Sequence, residues 1–168
     1  MQTGEAIGEV TSRIEDLERF LFREARLMDS WRLQEWLALW DDDAEIRYWV
    51  PCGHDDVDPD REVSIVYDDR SRLRDRVHRL ESSSVHAQDP RSRLSRVIGN
   101  VELVDDVEGV LTVESTFVLA EFRHDQQTVY AGRCIHRLRM AGDAPRLVSK
   151  KVLLVNNAGF FGNLTFLL

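Results

Sequence analysis

Between residues 94 and 156 the sequence runs through four long β-patterned stretches, at 94–108, 110–124, 128–140 and 146–156. β-Branched and aromatic residues crowd these stretches and thin out in the breaks DDVEG, HDQQ and AGDAP, which is how strands joined by hairpins read. In the third stretch Tyr130, Gly132, Cys134, His136, Leu138 and Met140 fall on one face. Val129, Ala131, Arg133, Ile135, Arg137 and Arg139 fall on the other, so one side is mainly apolar and the other largely basic. Each stretch is about twice the usual strand of roughly 5–6 residues, and a sheet of such strands must twist and curl. Curling creates a concave side that side chains or a ligand must fill.

The segments before the sheet supply the cover. Ile14, Leu17, Leu21 and Met28, widened by Phe20, Ala25, Leu27 and Trp31, recur at helical spacing and predict an amphipathic helix over 5–29, with Ser30 as a break or cap. Leu33, Trp36, Leu37 and Trp40 predict a second, shorter helix. Strict alternation over 44–50 puts Ala44, Ile46, Tyr48 and Val50 on one face of a strand closed by Pro51. A short strand at 63–67 leads to Asp68 or Asp69 as the cap of a helix carrying Leu73, Val77 and Leu80. Residues 81–93 are polar and turn-rich, a loop suited to specific contacts. The closing segment 158–168 is too rich in Phe and Leu to be left in water. The order predicts an α+β fold in one domain, helices packed on a strongly curved, mostly antiparallel sheet.

With 168 residues and a net charge of −8, the chain is large enough for a real core and poorly suited to a nucleic acid or an anionic membrane, both of which call for a basic face. The first residues have no basic and apolar signal-peptide regions, and no apolar run reaches membrane-span length. Cys52 and Cys134 stand far apart without a CxxC spacing, which fits free thiols in a reducing cytoplasm.

The five histidines, His54, His78, His86, His124 and His136, show no helical pair and no facial-triad spacing. Asp56, Asp58 and Asp60 alternate as in a calcium loop, but an EF-hand counted from Asp56 would need Gly and Glu where Arg61 and Tyr67 stand. If the concave side holds an open pocket, His86, Asp89, His136 and Tyr48 are the candidates for acid–base chemistry, and structural roles are the simpler reading for all four.

Several segments together resemble the small (β) subunit of aromatic-ring-hydroxylating dioxygenases. These are Phe20-Leu21-Phe22-Arg23-Glu24-Ala25-Arg26-Leu27-Met28-Asp29 running into Glu35-Trp36-Leu37-Ala38-Leu39-Trp40; Ile46-Arg47-Tyr48-Trp49-Val50-Pro51; and the block from Tyr67-Asp68-Asp69 through Leu73-Arg74-Asp75-Arg76-Val77 to Asp89-Pro90-Arg91-Ser92-Arg93 and Gly99-Asn100-Val101. Lys150-Lys151-Val152-Leu153-Leu154 and Asn163-Leu164-Thr165-Phe166 continue the likeness to the end. The loop at 86–90, Gly99 and the segment 156–162 depart from the family pattern.

The resemblance implies an NTF2-like, cone-shaped domain spanning 1–168. It also implies a non-catalytic subunit of the aromatic-compound-degrading oxygenase, assembled with a catalytic α subunit as an α3β3 hexamer on a trimer of this chain. The Rieske [2Fe–2S] cluster and the mononuclear Fe(II) would sit on the α subunit, fed by NAD(P)H through a reductase. A Rieske centre needs two Cys and two His. Cys52-x-His54 and Cys134-x-His136 match that number, but one pair lies inside a strand and the Gly/Pro-rich clamp is missing. The expected interface residues are Arg91, Arg93, Arg96, Arg133, Arg137, Arg139, Phe160 and Phe161. The contrasting expectation is a stand-alone isomerase, dehydratase or small-molecule binder of the same fold, since the fold hosts many functions. An open cavity with a polar dyad would favour it, and a cavity filled by side chains would oppose it.

Overall fold

The first helix stops where Trp31 enters a left-handed conformation (φ 57°). This computed structural model describes residues 2–53, 58–82, 90–142, 144–158 and 164–168, residues 2–11 as backbone only. Helix α1 runs Gln2–Asp29. The Arg32 N–H reaches back to Leu27 O at 2.9 Å and Trp31 N–H to Met28 O at 3.2 Å, the paired bonds of a Schellman ending. A tryptophan in this conformation is unusual. Here the indole N–H donates to Ser92 O at 3.0 Å and the Arg91 guanidinium lies 4.9 Å over the ring. Trp31 thus leaves the helical stripe on which its spacing placed it.

Helix α2 is shorter than its periodicity predicts, ending at Leu37 (Leu33–Leu37). Trp40 instead forms an isolated parallel bridge to Leu147, with Leu147 N–H donating to Leu39 O and Asp41 N–H to Leu147 O, both at 2.9 Å. Pairing with the sheet competes with the last helical turn and wins. The Asp41 carboxylate then accepts the N–H groups of Asp43 and Ala44, and Arg70 bonds the Asp41 and Ala44 carbonyls. That turn delays strand β1 to Arg47–Pro51. Strand β2 (Ser64–Asp68) follows, then helix α3 (Arg70–Glu81). Asp69 is the cap, its side chain accepting the Arg72 N–H, while Asp68 turns to Arg76.

The four long stretches become β3 (Arg93–Val107), β4 (Val110–Arg123), β5 (Gln126–Ala141) and β6 (Ala144–Leu154). Together the strands form one open sheet in the order β2-β1-β6-β5-β4-β3, antiparallel except that β1 lies parallel to β6. Register shifts in β3 at Gly99–Glu102, where Asn100 has φ 49°, and in the β5–β6 pairing at Arg137–Leu138 supply local bends. On the inner face Leu111, Val113, Phe117, Leu119, Leu138, Val152 and Leu154 meet Leu17, Phe20, Leu21 and Met28 of α1 and Trp36 of α2. Phe166, Leu167 and Leu168 join the same core. No described helix is long and apolar enough to cross a membrane.

At Gly132 the backbone of β6 leaves no room for a side chain on β5. A Cβ there would lie 2.2 Å from Leu153 O and 3.1 Å from Leu154 Cα, both backbone atoms that cannot swing aside. Gly132→Ala is therefore expected to lower stability by about 1–3 kcal/mol through overpacking. Urea denaturation checks this, and an unchanged midpoint would mean that the strands move apart freely.

Candidate functional site

Strand pairing places three polar side chains in one row across the inner face. Tyr48 of β1 pairs with Lys150 of β6, and Lys150 pairs with His136 of β5. Beyond them the row becomes apolar, with Val113 of β4 opposite His136. Glu24 descends from α1, three residues after Leu21 and four before Met28, on the stripe that faces the sheet.

Glu24 ties the row to the helices. Its Oε1 accepts from Lys150 Nζ at 2.8 Å and from Trp36 Nε1 at 3.2 Å; its Oε2 meets His136 Nε2 at 3.0 Å. A carboxylate only accepts, so His136 carries its proton on Nε2, which leaves Nδ1 buried without a partner among the described residues. The side chains of Glu24 and His136 are each 3% exposed and that of Lys150 2%. Burial alone would push the Glu24 carboxyl up, but the Lys150 ammonium, His136 and the hydrogen bonds from both outweigh it and hold it well below the ordinary carboxylate range. Neighbouring Cys134 is pushed the other way. Burial, reinforced by Glu24 and opposed by Lys150 and Arg96, raises its thiol to about 11. Tyr48 is likewise raised above a normal phenol by burial, and its hydroxyl is engaged twice, donating to Leu168 O at 3.2 Å and accepting the Leu168 N–H at 3.0 Å.

A general base needs a lone pair within reach of a substrate proton. His136 does meet a carboxylate, but the partner is Glu24 rather than an aspartate, and both are covered by Trp36, Met28 and the core around them. Tyr48 is locked to Leu168. His86 and Asp89 lie outside the described residues, as do Phe160, Phe161 and His54. The arrangement stores opposite charges in a dry interior and links α1, α2, β5 and β6. It does not fit an iron–sulfur cluster either, because Cys134 and His136 lie buried inside strand β5 and the Nε2 of His136 is committed to Glu24. In the acidic loop, Asp58 is spent on its own turn, accepting the Asp60 N–H and pairing with Arg61.

The expected interface arginines divide. Arg96 turns inward. Its side chain is 2% exposed, with Nε donating to Asp29 at 2.6 Å and an η-nitrogen to Leu167 O at 3.0 Å, so it fastens the end of α1 and segment 164–168. Its position beside exposed Val97 in an alternating strand places it on the core side. Arg139 pairs with Asp41 at 3.3 Å and Arg133 with Glu114 at 3.6 Å. Arg91 lies over Trp31, and Arg93 is exposed at a shallow hollow beside Phe122 and Gln127. Arg137 is exposed and makes no ion pair among the described residues.

Sequence reasoning missed Glu24 and Lys150 as members of the cluster. The signal was present as parity: Lys150 alternates with the inward Val152 and Leu154, and Glu24 sits in the middle of an apolar helical stripe.

Residues 23–158 match the profile of the family described as ring hydroxylating beta subunit. The chain belongs to the ring-hydroxylating β-subunit family. It is 34% identical over 147 residues to the small subunit of a 2-halobenzoate 1,2-dioxygenase from Burkholderia cepacia, covering 84% of this chain and 88% of the relative. The β subunit of a benzoate 1,2-dioxygenase from Burkholderia mallei superposes with a TM-score of 0.75 at 30% identity, over 91% of this chain and 96% of that one. An NTF2-like protein with a cystatin-like fold from Novosphingobium aromaticivorans superposes with a TM-score of 0.61 at 13% identity, over 93% of this chain and 90% of that one, a likeness of fold alone. In this chain Trp36, Trp40, Tyr48 and the segment 166–168 fill the inner side of the sheet.

Proposed function

We propose that this β subunit is the structural component of an aromatic-ring-hydroxylating dioxygenase, one NTF2-like domain over residues 1–168 that works in the cytoplasm. It assembles with a catalytic α subunit, as an α3β3 hexamer built on a trimer of this chain. The α subunit holds the Rieske cluster and the mononuclear iron and receives electrons that originate on NAD(P)H. The observation that carries this reading is the use made of the concave side. Its most polar residues, Glu24, His136 and Lys150, are spent on one another and sealed under the helices. A chain so built contributes shape and contact area.

The test is expression with and without the large oxygenase subunit encoded in the same genome. The two chains are expected to co-purify and to consume O2 with an aromatic substrate when supplied with reductant, and the β chain alone is expected to do neither chemistry nor iron binding. Turnover of a substrate by the purified β chain, or redox-active iron bound to it, would overturn the reading.

A further inference from the structure

The outer face of the sheet carries a second polar arrangement. Pairing sets Ile135, Lys151, Trp49 and Tyr67 in one row across β5, β6, β1 and β2, and Arg137, Ser149 and Arg47 in the next. Their side chains line a hollow of about 370 Å³. Lys151 Nζ stands 4.3 Å over the Trp49 ring and the Arg47 guanidinium 4.4 Å over Tyr67, while the two rings meet edge to face at 5.9 Å. Trp49 is fixed by its indole N–H, which donates to Ser64 Oγ at 2.9 Å. Cations laid on rings have already lost much of their rotamer freedom. Among the described residues, Glu45, 90% exposed at the rim and 3.5 Å from Arg47, is the carboxylate that lines the hollow.

Such a concentration of Arg47, Arg137 and Lys151 is out of keeping with a chain of net charge −8. Overall charge repels polyanions at long range, while the hollow attracts a local carboxylate at short range. Its floor, Ile135 with Trp49 and Tyr67, is apolar and aromatic, the composition of an interface centre. We propose that this hollow is the docking point for an acidic segment of the catalytic α subunit, carboxylates on the cations and an apolar anchor on the floor. The proposal rests on the structural-subunit reading and names the surface that reading leaves open.

The experiment measures binding of the co-expressed α subunit to wild-type β chain and to Arg137→Glu/Lys151→Glu. In about 0.1 M salt the double reversal is expected to weaken binding roughly tenfold or more, and to abolish the fall in affinity that added salt causes in the wild type. The denaturation midpoint of Arg137→Glu should hold, since that exposed side chain makes no ion pair among the described residues. Should the double variant misfold once Lys151 leaves the Trp49 ring, Arg137→Glu alone carries the test. Equal binding by variant and wild type would overturn the proposal. So would loss of self-association with α binding intact, which would give the hollow to a second copy. If the wild type itself fails to bind the α subunit, the structural-subunit reading falls first and this surface with it.

Discussion

Glu24→Ala is expected to cost roughly 3–5 kcal/mol of folding stability, the usual consequence of stranding a buried charge. The substitution removes a charge partner from Lys150, an acceptor from Trp36 and the partner of His136 Nε2, all inside the core. Equilibrium urea unfolding followed by tryptophan fluorescence measures it. Glu24→Met combined with Lys150→Met should recover most of the loss, since well-packed apolar residues replace a buried ion pair at little net cost. A single Glu24→Ala that loses less than about 1 kcal/mol would mean that water enters the cluster and solvates what remains.

The same carboxylate sets an acid limit. Its pKa in the folded chain lies below the ordinary value of 4.5, so its contribution is fully present above that value. Stability is lost as pH falls below 4.5 toward the depressed folded value, because the unfolded chain then takes up the proton first. Glu24→Gln removes the titration and is expected to flatten the stability profile in that window, from a lower starting level.

Arg96→Ala is the second large effect, about 3 kcal/mol or more. Arg96 holds both oxygens of Asp29 through its Nε and its backbone N–H, with Leu167 O and Met28 Sδ as further partners. Losing the guanidinium leaves Asp29 with the backbone bond alone and frees Leu167 from the core. Arg96→Lys keeps the charge but not the planar fork and should restore only part of the loss. Limited proteolysis should cut the alanine variant near residues 164–168 sooner than the wild type. If cleavage there is unchanged, the segment is held by its apolar residues without help from Arg96.

The four long strands were legible because each stretch keeps its alternation for many residues and ends in turn chemistry, so faces as well as bounds follow. A cap at Asp68 or Asp69 and the face that carries Tyr48 were legible for the same local reasons, and the structure chooses Asp69. The places that misled are those where a distant partner overrides the local pattern. Trp40 has perfect helical spacing but is claimed by Leu147 of β6, and Trp31 is held out of α1 by Ser92 and Arg91. Glu24 and Lys150 lie 126 positions apart, so their pairing depends on how α1 crosses the sheet, which no periodicity reports. Arg96 was read with its charged neighbours rather than by its parity, and parity decides.

The parallel pairing of β1 with β6 has a consequence for how the chain is made. Hairpins from β3 to β6 join neighbours in sequence and close quickly, whereas Tyr48 waits for Lys150, about a hundred residues away. On a ribosome, α1, α2 and the first two strands emerge with Trp36, Trp40 and Tyr48 uncovered until β6 has followed them. Strand β6 is therefore the clasp that joins the early segments to the hairpins made after them.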